Sequence, residues 1–208
     1  MMKEKEDIGK SESTEQKIKE AARKVFTSKG YAATRTRDIA EESGFNLALI
    51  NYYFRSKEKL FEIIMLENLQ LFMGSIMGIL DEPATSLEEK VDLLVTYYVD
   101  MLIVNPGIPV FILNLINNNP EALKEKLDRA SLVANSVFVK QFQELMKKKG
   151  MNIHPLHLFM NIISLTVFPF AAAPMIKAKN DISDEAFNQL MLERKKLIPM
   201  WVKAMMGV

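Results

Sequence analysis

The stretch GYAATRTRDIAEESGFNLALINYYFRSKEKLF, residues 30–61, decides the fold of this chain. Within it, Thr36–Ser43 is a short amphipathic segment, and Gly44 follows where a helix commonly ends in left-handed geometry. Asn46 is a favourable helix N-cap, and residues 47–53 are enough for about two further helical turns. The stretch therefore predicts two short helices that are joined by a tight turn.

Helical patterns continue on both sides of this unit. Upstream, apolar residues recur at the spacing of a buried helix face between residues 18 and 26, and Gly30 is expected to end that helix. Downstream, Ser56 is expected to cap a longer helix over residues 57–80. Later patterns predict helices at about residues 87–104, 109–116, 121–148, 155–175 and 183–206. Since no segment shows a strand pattern, we predict an all-α chain.

The composition limits the class of protein. The chain has 208 residues, of which 49% are hydrophobic, and this is sufficient for a buried core. It contains no cysteine, which excludes disulfides, thiolate metal sites and cysteine nucleophiles. The amino-terminal residues mix both charges and lack the apolar stretch of a secretory signal. We therefore expect a cytoplasmic protein.

One apolar stretch has the length of a membrane span. Residues 158–176 carry no charge, which approaches the roughly 20 residues that a bilayer requires. Polar residues lie inside this stretch, and Pro169 and Pro174 interrupt it. We therefore expect a core or subunit-contact helix there and no membrane partner.

Basic residues are concentrated near the amino terminus. The whole chain carries a net charge of +1, from 27 basic and 26 acidic residues. Residues 14–60 contain ten basic and six acidic side chains, so this segment carries +4 and the rest of the chain −3. The division is modest, but its sign favours contact with phosphates.

The amino-terminal segment resembles the DNA-binding region of the TetR family of repressors. The likeness covers about residues 14–66, and beyond them it extends only to length and helical layout. The matching features are Gly30 and Tyr31, Thr34, the run Arg37, Asp38, Ile39 and Ala40, the turn residue Gly44, and residues 52–60 with Phe54, Ser56, Lys57 and Glu58.

This resemblance implies a domain organisation. A disordered arm is expected at residues 1–13, and a three-helix, helix-turn-helix DNA-binding domain at residues 14–60. A helical effector-binding and dimerisation domain is expected at residues 61–208. A helix-turn-helix places its second helix in the major groove of DNA, so the residues themselves favour the same interpretation.

Base contacts are expected from both short helices. Arg37 could pair with guanine through two hydrogen bonds, although it could also be an exposed helix charge. Ile50 is expected to anchor the second helix in the core. Leu47 and Ala48 cannot hydrogen-bond to bases and would contact thymine methyl groups or fit the groove, which makes Asn51 the polar base reader.

Phosphate contacts are expected around these helices. Thr34 and Thr36 could donate hydroxyls to phosphates or act as helix caps. Most members of the family have a small hydroxyl residue where this chain has Arg35 and an apolar one at Thr36. Arg35 therefore indicates an earlier helix start or an added phosphate contact. The remaining candidates are Tyr52 and Tyr53, which could instead be packing residues, and Lys57, a phosphate clamp or a surface lysine.

The resemblance also implies a homodimer in which the last two helices of each subunit form a four-helix interface. Such a dimer can read two half-sites, one with the helix-turn-helix of each subunit. Residues 156–167 are apolar on nearly all sides, as expected for a helix between its own core and a partner. Intrachain packing is the alternative. The predicted interface residues are Leu156, Phe159, Ile163, Phe187, Leu190, Leu197 and Trp201.

The family pattern implies a small-molecule effector whose binding weakens the hold on DNA. Fourteen methionines and several aromatic residues suit an adaptable, apolar pocket, although most of them are also suited to the core. The sequence does not identify the ligand. The candidate pocket residues are Tyr97, Tyr98, Met101, Phe111, Asn114, Phe138 and Phe142.

Enzyme signatures are missing from the sequence. The two histidines, His154 and His157, are three residues apart, but no third metal ligand accompanies them. There is no glycine-rich phosphate loop or nucleophile elbow, so we expect no catalytic site, metal or cofactor. The sequence thus predicts a repressor that a small molecule releases from a palindromic operator in double-stranded DNA. The alternative is a helical adaptor without DNA recognition.

Overall fold

A computed structural model describes residues 2–118 and 133–208, with side chains described over 13–114, 116–117 and 133–208. The described residues form helices and no strand, as predicted. In chain order the helices are α1 (Met2–Ala33), α2 (Thr36–Ser43), α3 (Leu47–Phe54), α4 (Lys57–Asp81), α5 (Leu87–Val104), α6 (Ile108–Asn118), α7 (Val137–Lys148), α8 (Pro155–Ala171), α9 (Ala173–Asn180) and α10 (Asp184–Met206). They divide into two compact units, Met1–Leu69 and Gln70–Val208.

The amino-terminal unit is built from α1, α2, α3 and the first part of α4. Ile18 of α1, Ile39 of α2 and Ile50 of α3 are buried together with Leu60 of α4, so each helix contributes one apolar stripe to a small core. The prediction that Ile50 turns inward is confirmed. Gly30, at φ 75° and ψ 160°, interrupts the helical geometry of α1 near its end.

The carboxy-terminal unit is centred on α5, which packs against α8 and α10. Its core includes Val95 of α5, Ile162 of α8, and Ile198 and Val202 of α10, all almost fully buried. Long helices can bury continuous apolar stripes in this way, and this burial supplies most of the stability of helical units.

A buried lysine orders the connection between α4 and α5. The Lys90 ammonium donates to the backbone carbonyl of Glu82 (2.6 Å) and to the carbonyl and hydroxyl oxygens of Thr85 (2.7 and 2.8 Å). Burial lowers the pKa of Lys90, while the nearby Glu82 and Glu89 carboxylates act in the opposite direction. All three ammonium protons are therefore satisfied inside the protein.

Three helix boundaries differ from the sequence interpretation. Helix α1 starts at Met2, so residues 2–13, predicted as a disordered arm, are helical; the segment is rich in lysine and glutamate, which favour helices. The helix predicted to reach residue 175 ends at Ala171, because Pro174 is placed in the first turn of a separate helix. Residues 121–132 of another predicted helix lie outside the described residues, and Ser136 caps a new start at Val137.

By length and composition, α4 could cross a membrane, with a mean hydropathy of 1.6 over its most apolar window. Of that window, 44% is buried within the protein. Two pairs of consecutive helices would also be long and apolar enough to cross a membrane if each pair were one span. These are Leu87–Val104 with Ile108–Asn114, bent by 91°, and Pro155–Ala171 with Ala173–Asn180, bent by 61°.

Candidate functional site

The first turn of α2 is fixed by a carboxylate. Asp38 accepts a hydrogen bond from the backbone N–H of Arg35 (2.7 Å) and pairs with Lys29 (3.1 Å). These two contacts, the backbone one first, hold the pKa of Asp38 below its ordinary value. Arg37 is exposed beside this turn, and among the described residues its guanidinium has no ion-pair partner. It is therefore available for an external anion or base edge.

Helix α3 is set at a defined angle by the turn that precedes it. Gly44 adopts φ 72°, in the left-handed region that favours glycine. The Asn46 side chain then caps α3 by accepting a hydrogen bond from the Leu49 N–H (2.8 Å). Ile50 and Phe54 are buried and anchor the helix.

The opposite face of α3 is open to solvent. Its side chains are Leu47, Ala48, Asn51 and Tyr52, all exposed, while Tyr53 is half-buried and contacts the Tyr52 ring edge-on at 5.3 Å. Positions i, i+1, i+4 and i+5 lie on one side of a helix. The structure therefore gathers four of the predicted DNA-contacting residues on one surface.

Lys57 differs from its sequence interpretation. Its ammonium donates to the backbone carbonyls of Tyr31 (3.1 Å) and Thr34 (2.9 Å) and lies 4.3 Å from the centroid of the Tyr31 ring. Two of its three protons are thus engaged at the end of α1, because the carbonyls there have no further helical partners. The side chain joins α4 to α1 and is not a free phosphate clamp in this structure.

Thr34 also turns inward. It is buried, and its hydroxyl donates to the Gly30 carbonyl at 2.7 Å, so the hydroxyl is not presented to solvent. Thr36 is half-buried at the start of α2, and Arg35 is exposed. Of the two predicted hydroxyl donors, Thr36 is the accessible one.

Helices α1 and α4 are joined by a half-buried ionic cluster. Glu67 of α4 accepts hydrogen bonds from Lys19 (2.8 Å) and from Arg23, both on α1. Closer to the start of α4, the Tyr31 hydroxyl donates to Glu58 at 3.2 Å. Polar contacts therefore join α1 to α4 in addition to the apolar core that these helices share.

Arg55 is a candidate that the sequence analysis missed. It follows α3 directly, is exposed, and adopts φ 62°, an uncommon conformation for a residue other than glycine. Like Arg37, it has no ion-pair partner in the described part of the chain. Its position directly after the predicted end of the second short helix, near residue 53, was the available signal.

The predicted dimer residues separate into two groups. Phe187 is buried and contacts Phe170 within the chain, and half-buried Phe159 packs against Phe138 at 5.0 Å. These two have intrachain partners. The other five are exposed on α8 and α10: Leu156, Ile163, Leu190, Leu197 and Trp201.

The predicted effector residues are mostly packed. Phe138 and Phe142 are buried, and burial raises the pKa of Tyr98 to about 12. Tyr97 stacks on Phe72 with ring centroids 5.3 Å apart. Met101 and Phe111 are half-buried, and Asn114 is exposed.

A surface groove lies elsewhere in the carboxy-terminal unit. Its volume is about 710 Å³, it runs between α5 and α10, and none of the seven predicted effector residues lines it. The groove is lined by Thr96, Gln189, Leu192, Glu193, Lys195, Lys196 and Leu197.

No group of three or more histidine, aspartate or glutamate side chains suitable for a metal occurs among the described residues.

Comparison with known proteins identifies the amino-terminal unit. The family profile described as "Bacterial regulatory proteins, tetR family" matches residues 18–64. An HTH-type transcriptional regulator of Bacillus subtilis, YfiR, itself uncharacterised, is 32% identical over 99 residues, which cover 41% of this chain and 48% of that protein. The chain spans about half the length, or less, of the curated relatives that it matches.

Solved structures share the whole fold at low identity. A transcriptional regulator of the TetR/AcrR family from Thermobifida fusca aligns with a TM-score of 0.63 at 19% identity, over 89% of this chain and 96% of that one. Bacillus subtilis FadR in complex with stearoyl-CoA aligns with a TM-score of 0.54 at 16% identity, over 88% and 96%. These likenesses establish the fold.

Proposed function

We propose that this chain, which belongs to the TetR family of bacterial regulatory proteins, is a transcriptional regulator that binds double-stranded operator DNA. One observation carries the proposal: α3 presents an exposed, uncharged face, and the exposed arginines that precede and follow it in the chain, Arg37 and Arg55, have no ion pair with described residues. A capped, anchored helix in a segment with accessible cations suits the major groove, since phosphates line both edges of the groove.

The accessible side chains divide between bases and phosphates. Arg37 and Asn51 are the candidates for hydrogen bonds to base edges. Arg35, Thr36, Tyr52, Tyr53 and Arg55 are the candidates for phosphate contacts. Lys57 and Thr34 contribute indirectly: their polar groups order the junction between α1 and α4 and do not contact DNA.

We infer a homodimer from the exposed apolar faces of α8 and α10. Leu156, Met160 and Ile163 recur at i, i+4 and i+7 on α8, and each is exposed. On α10, Leu197 and Trp201 continue a face that starts at Leu190. Two such helices from each subunit could form a four-helix interface, and a two-fold dimer would present two copies of α3 to a palindrome.

We further propose that a small molecule bound in the carboxy-terminal unit releases the DNA. The predicted residues around Tyr98 are apolar and aromatic, and the fold neighbour FadR is a complex with stearoyl-CoA. Such regulation needs a ligand that binds one conformation more tightly than the other. A thermal-shift screen of apolar ligands, with an acyl-CoA among them, tests this step. The protein would act in the cytoplasm, without enzymatic activity of its own.

Selection from a random DNA pool tests the central proposal. We expect the full chain to enrich a palindrome, and its affinity for that palindrome to fall with salt because counterions are released. Asn51→Ala should cost about 1 to 3 kcal/mol and relax one base preference. Asn152→Ala, an exposed asparagine outside the site, is the matched control. Failure to enrich any sequence would favour the helical adaptor.

A further inference from the structure

Helix α3 carries an unusual concentration of exposed apolar surface. Within the described side chains of the unit Met1–Leu69, two large hydrophobic residues are exposed: Leu47, at 40%, and Tyr52, at 79%. Both lie on α3, together with exposed Ala48. The helix sequence LALINYYF contains no charged residue. Among the described side chains of this unit, the large exposed apolar groups are therefore concentrated on α3.

Two cations close to α3 in the chain bear on what can cover this surface. Arg37 precedes α3 and Arg55 follows it, and both are exposed. An apolar protein partner whose footprint reached these charges would have to desolvate them, which is costly unless they are paired. DNA matches the whole arrangement, because phosphates lie outside the bases on both edges of the groove.

Inside the groove, Leu47 and Ala48 can form no hydrogen bonds with base edges. If they covered a G·C pair, they would remove water from polar base atoms without replacing its hydrogen bonds. The C5-methyl group of thymine is the apolar feature of the major-groove floor. Contact between an aliphatic side chain and that methyl buries apolar surface on both sides.

We infer that α3 is a thymine-methyl reader, with Leu47 as the specificity-determining side chain and Ala48 beside it. The inference rests on the proposed DNA binding and adds the chemical feature of the operator that is recognised. Asn51, on the same face, supplies the polar contact that fixes the register. The protein thus recognises each half-site more by the positions of thymine methyl groups than by hydrogen bonds to base edges.

Replacing single thymines by deoxyuridine in the selected operator tests this inference. The exchange removes only the C5-methyl group and leaves every base-pairing and groove hydrogen-bond group unchanged. We expect about a four-fold loss of affinity at one or two positions in each half-site, the effect of one buried methyl-sized group. Fluorescence anisotropy with the full chain measures it.

Leu47→Ala identifies the side chain that is responsible. This variant should bind thymine and deoxyuridine operators almost equally, because the contact that separates them has been removed. Leu93→Ala, a similarly exposed leucine on α5, should keep the full discrimination. If Leu47→Ala also kept it, the assignment to Leu47 would be wrong.

The inference and the proposed function can fail separately. A salt-dependent palindrome that binds equally with thymine or deoxyuridine at every position would overturn methyl reading and leave the regulator intact. Enrichment of no sequence at all would overturn both.

Discussion

The two units of this protein differ in how many large hydrophobic side chains they expose to solvent. In the described part of Met1–Leu69, the large exposed hydrophobic side chains are Leu47 and Tyr52, both on α3. In Gln70–Val208 such side chains are numerous, and many lie on α8 and α10. This difference supports the proposals that the first unit binds DNA through α3 and that the second unit dimerises through α8 and α10.

The contacts that stabilise each unit internally also differ. In the first, the short helices α2 and α3 have eight residues each, which is marginal for a helix alone, and side-chain contacts from Lys57 and Glu67 tie neighbouring segments to α1. In the second, long helices bury apolar stripes against each other. The first unit therefore depends on these polar contacts as well as on its small apolar core, whereas the second depends mainly on apolar packing.

The largest effect should come from charging the exposed face of α10. Leu197→Glu places a carboxylate in a two-fold interface twice, so a hot-spot loss of about 2 kcal/mol per copy weakens the dimer by roughly 1,000-fold. Light scattering should then detect the 23.8 kDa species, and operator affinity should fall with it. Leu93→Glu, at an exposed position of α5, is the control. A Leu197→Glu protein that remains dimeric would place the interface elsewhere.

A smaller effect should follow from the ionisation of Tyr98 at high pH. Its pKa is raised to about 12 by burial, above the ordinary value of 10.0, so the unfolded chain loses this proton first. The stabilising contribution is complete below about pH 10 and is lost as pH rises toward 12, by about 1.4 kcal/mol per pH unit.

Urea unfolding of the native chain and of Tyr98→Phe measures this contribution. The native chain should lose stability faster above about pH 10, because Tyr98→Phe has no phenol to ionise. Tyr52→Phe, which removes the hydroxyl of an exposed tyrosine in the amino-terminal unit, is the control. Parallel pH profiles for the native chain and Tyr98→Phe would contradict the burial argument.

An effect of about ten-fold on operator affinity is expected for Lys57→Met. The structure assigns Lys57 to the carbonyls of Tyr31 and Thr34, so its loss should weaken DNA binding through disorder at the α1–α4 junction. The slope of log affinity against log salt should stay unchanged. Arg55→Met, which removes an accessible cation, should reduce that slope by about 1. A reduced slope for Lys57→Met would restore the phosphate clamp that the sequence predicted.

The smallest effect concerns a proline in α8. Pro169 has no N–H, so the Leu165 carbonyl, four residues earlier, lacks its helical donor. Arg194 of α10 donates to that carbonyl at 2.8 Å, with its guanidinium 5.2 Å from the Trp201 ring centroid. The bond joins the two helices of the proposed dimer face.

A double-mutant cycle measures the coupling between Pro169 and Arg194. Pro169→Ala restores an N–H for Leu165, so Arg194→Met should cost about 1 kcal/mol less in that background than in the native chain. Denaturant unfolding at one protein concentration gives all four free energies. Additive effects would show that the two residues act independently.

Local features allowed much of the first unit to be predicted. Gly44, Asn46 and Ser56 mark helix ends by their own chemistry, and the observed α2 and α3 begin where those signals place them. The break at Ala172 was harder to place, because the apolar run contains two prolines that could each end the helix. Pro169 lies inside α8, whereas Pro174 lies in the first turn of α9.

The contacts that individual side chains make were harder to predict from the sequence. Lys57 and Thr34 have the residue types of phosphate contacts, yet both polar groups turn to backbone carbonyls of α1. Phe187 has the same apolar character as Leu197, but it is buried within the chain and Leu197 is exposed. Periodicity identifies an apolar helix face, but it does not reveal whether the same chain covers it.

The sequence by itself determined the all-α fold and the helix-turn-helix, since caps, turns and periodicity act within a few residues of each other. The tertiary structure decided which cations remain free, which hydroxyls are buried and which apolar faces stay open. Those outcomes depend on groups far apart in the chain, such as Lys57 with Tyr31 or Arg194 with Leu165, and only packing brings them within bonding distance.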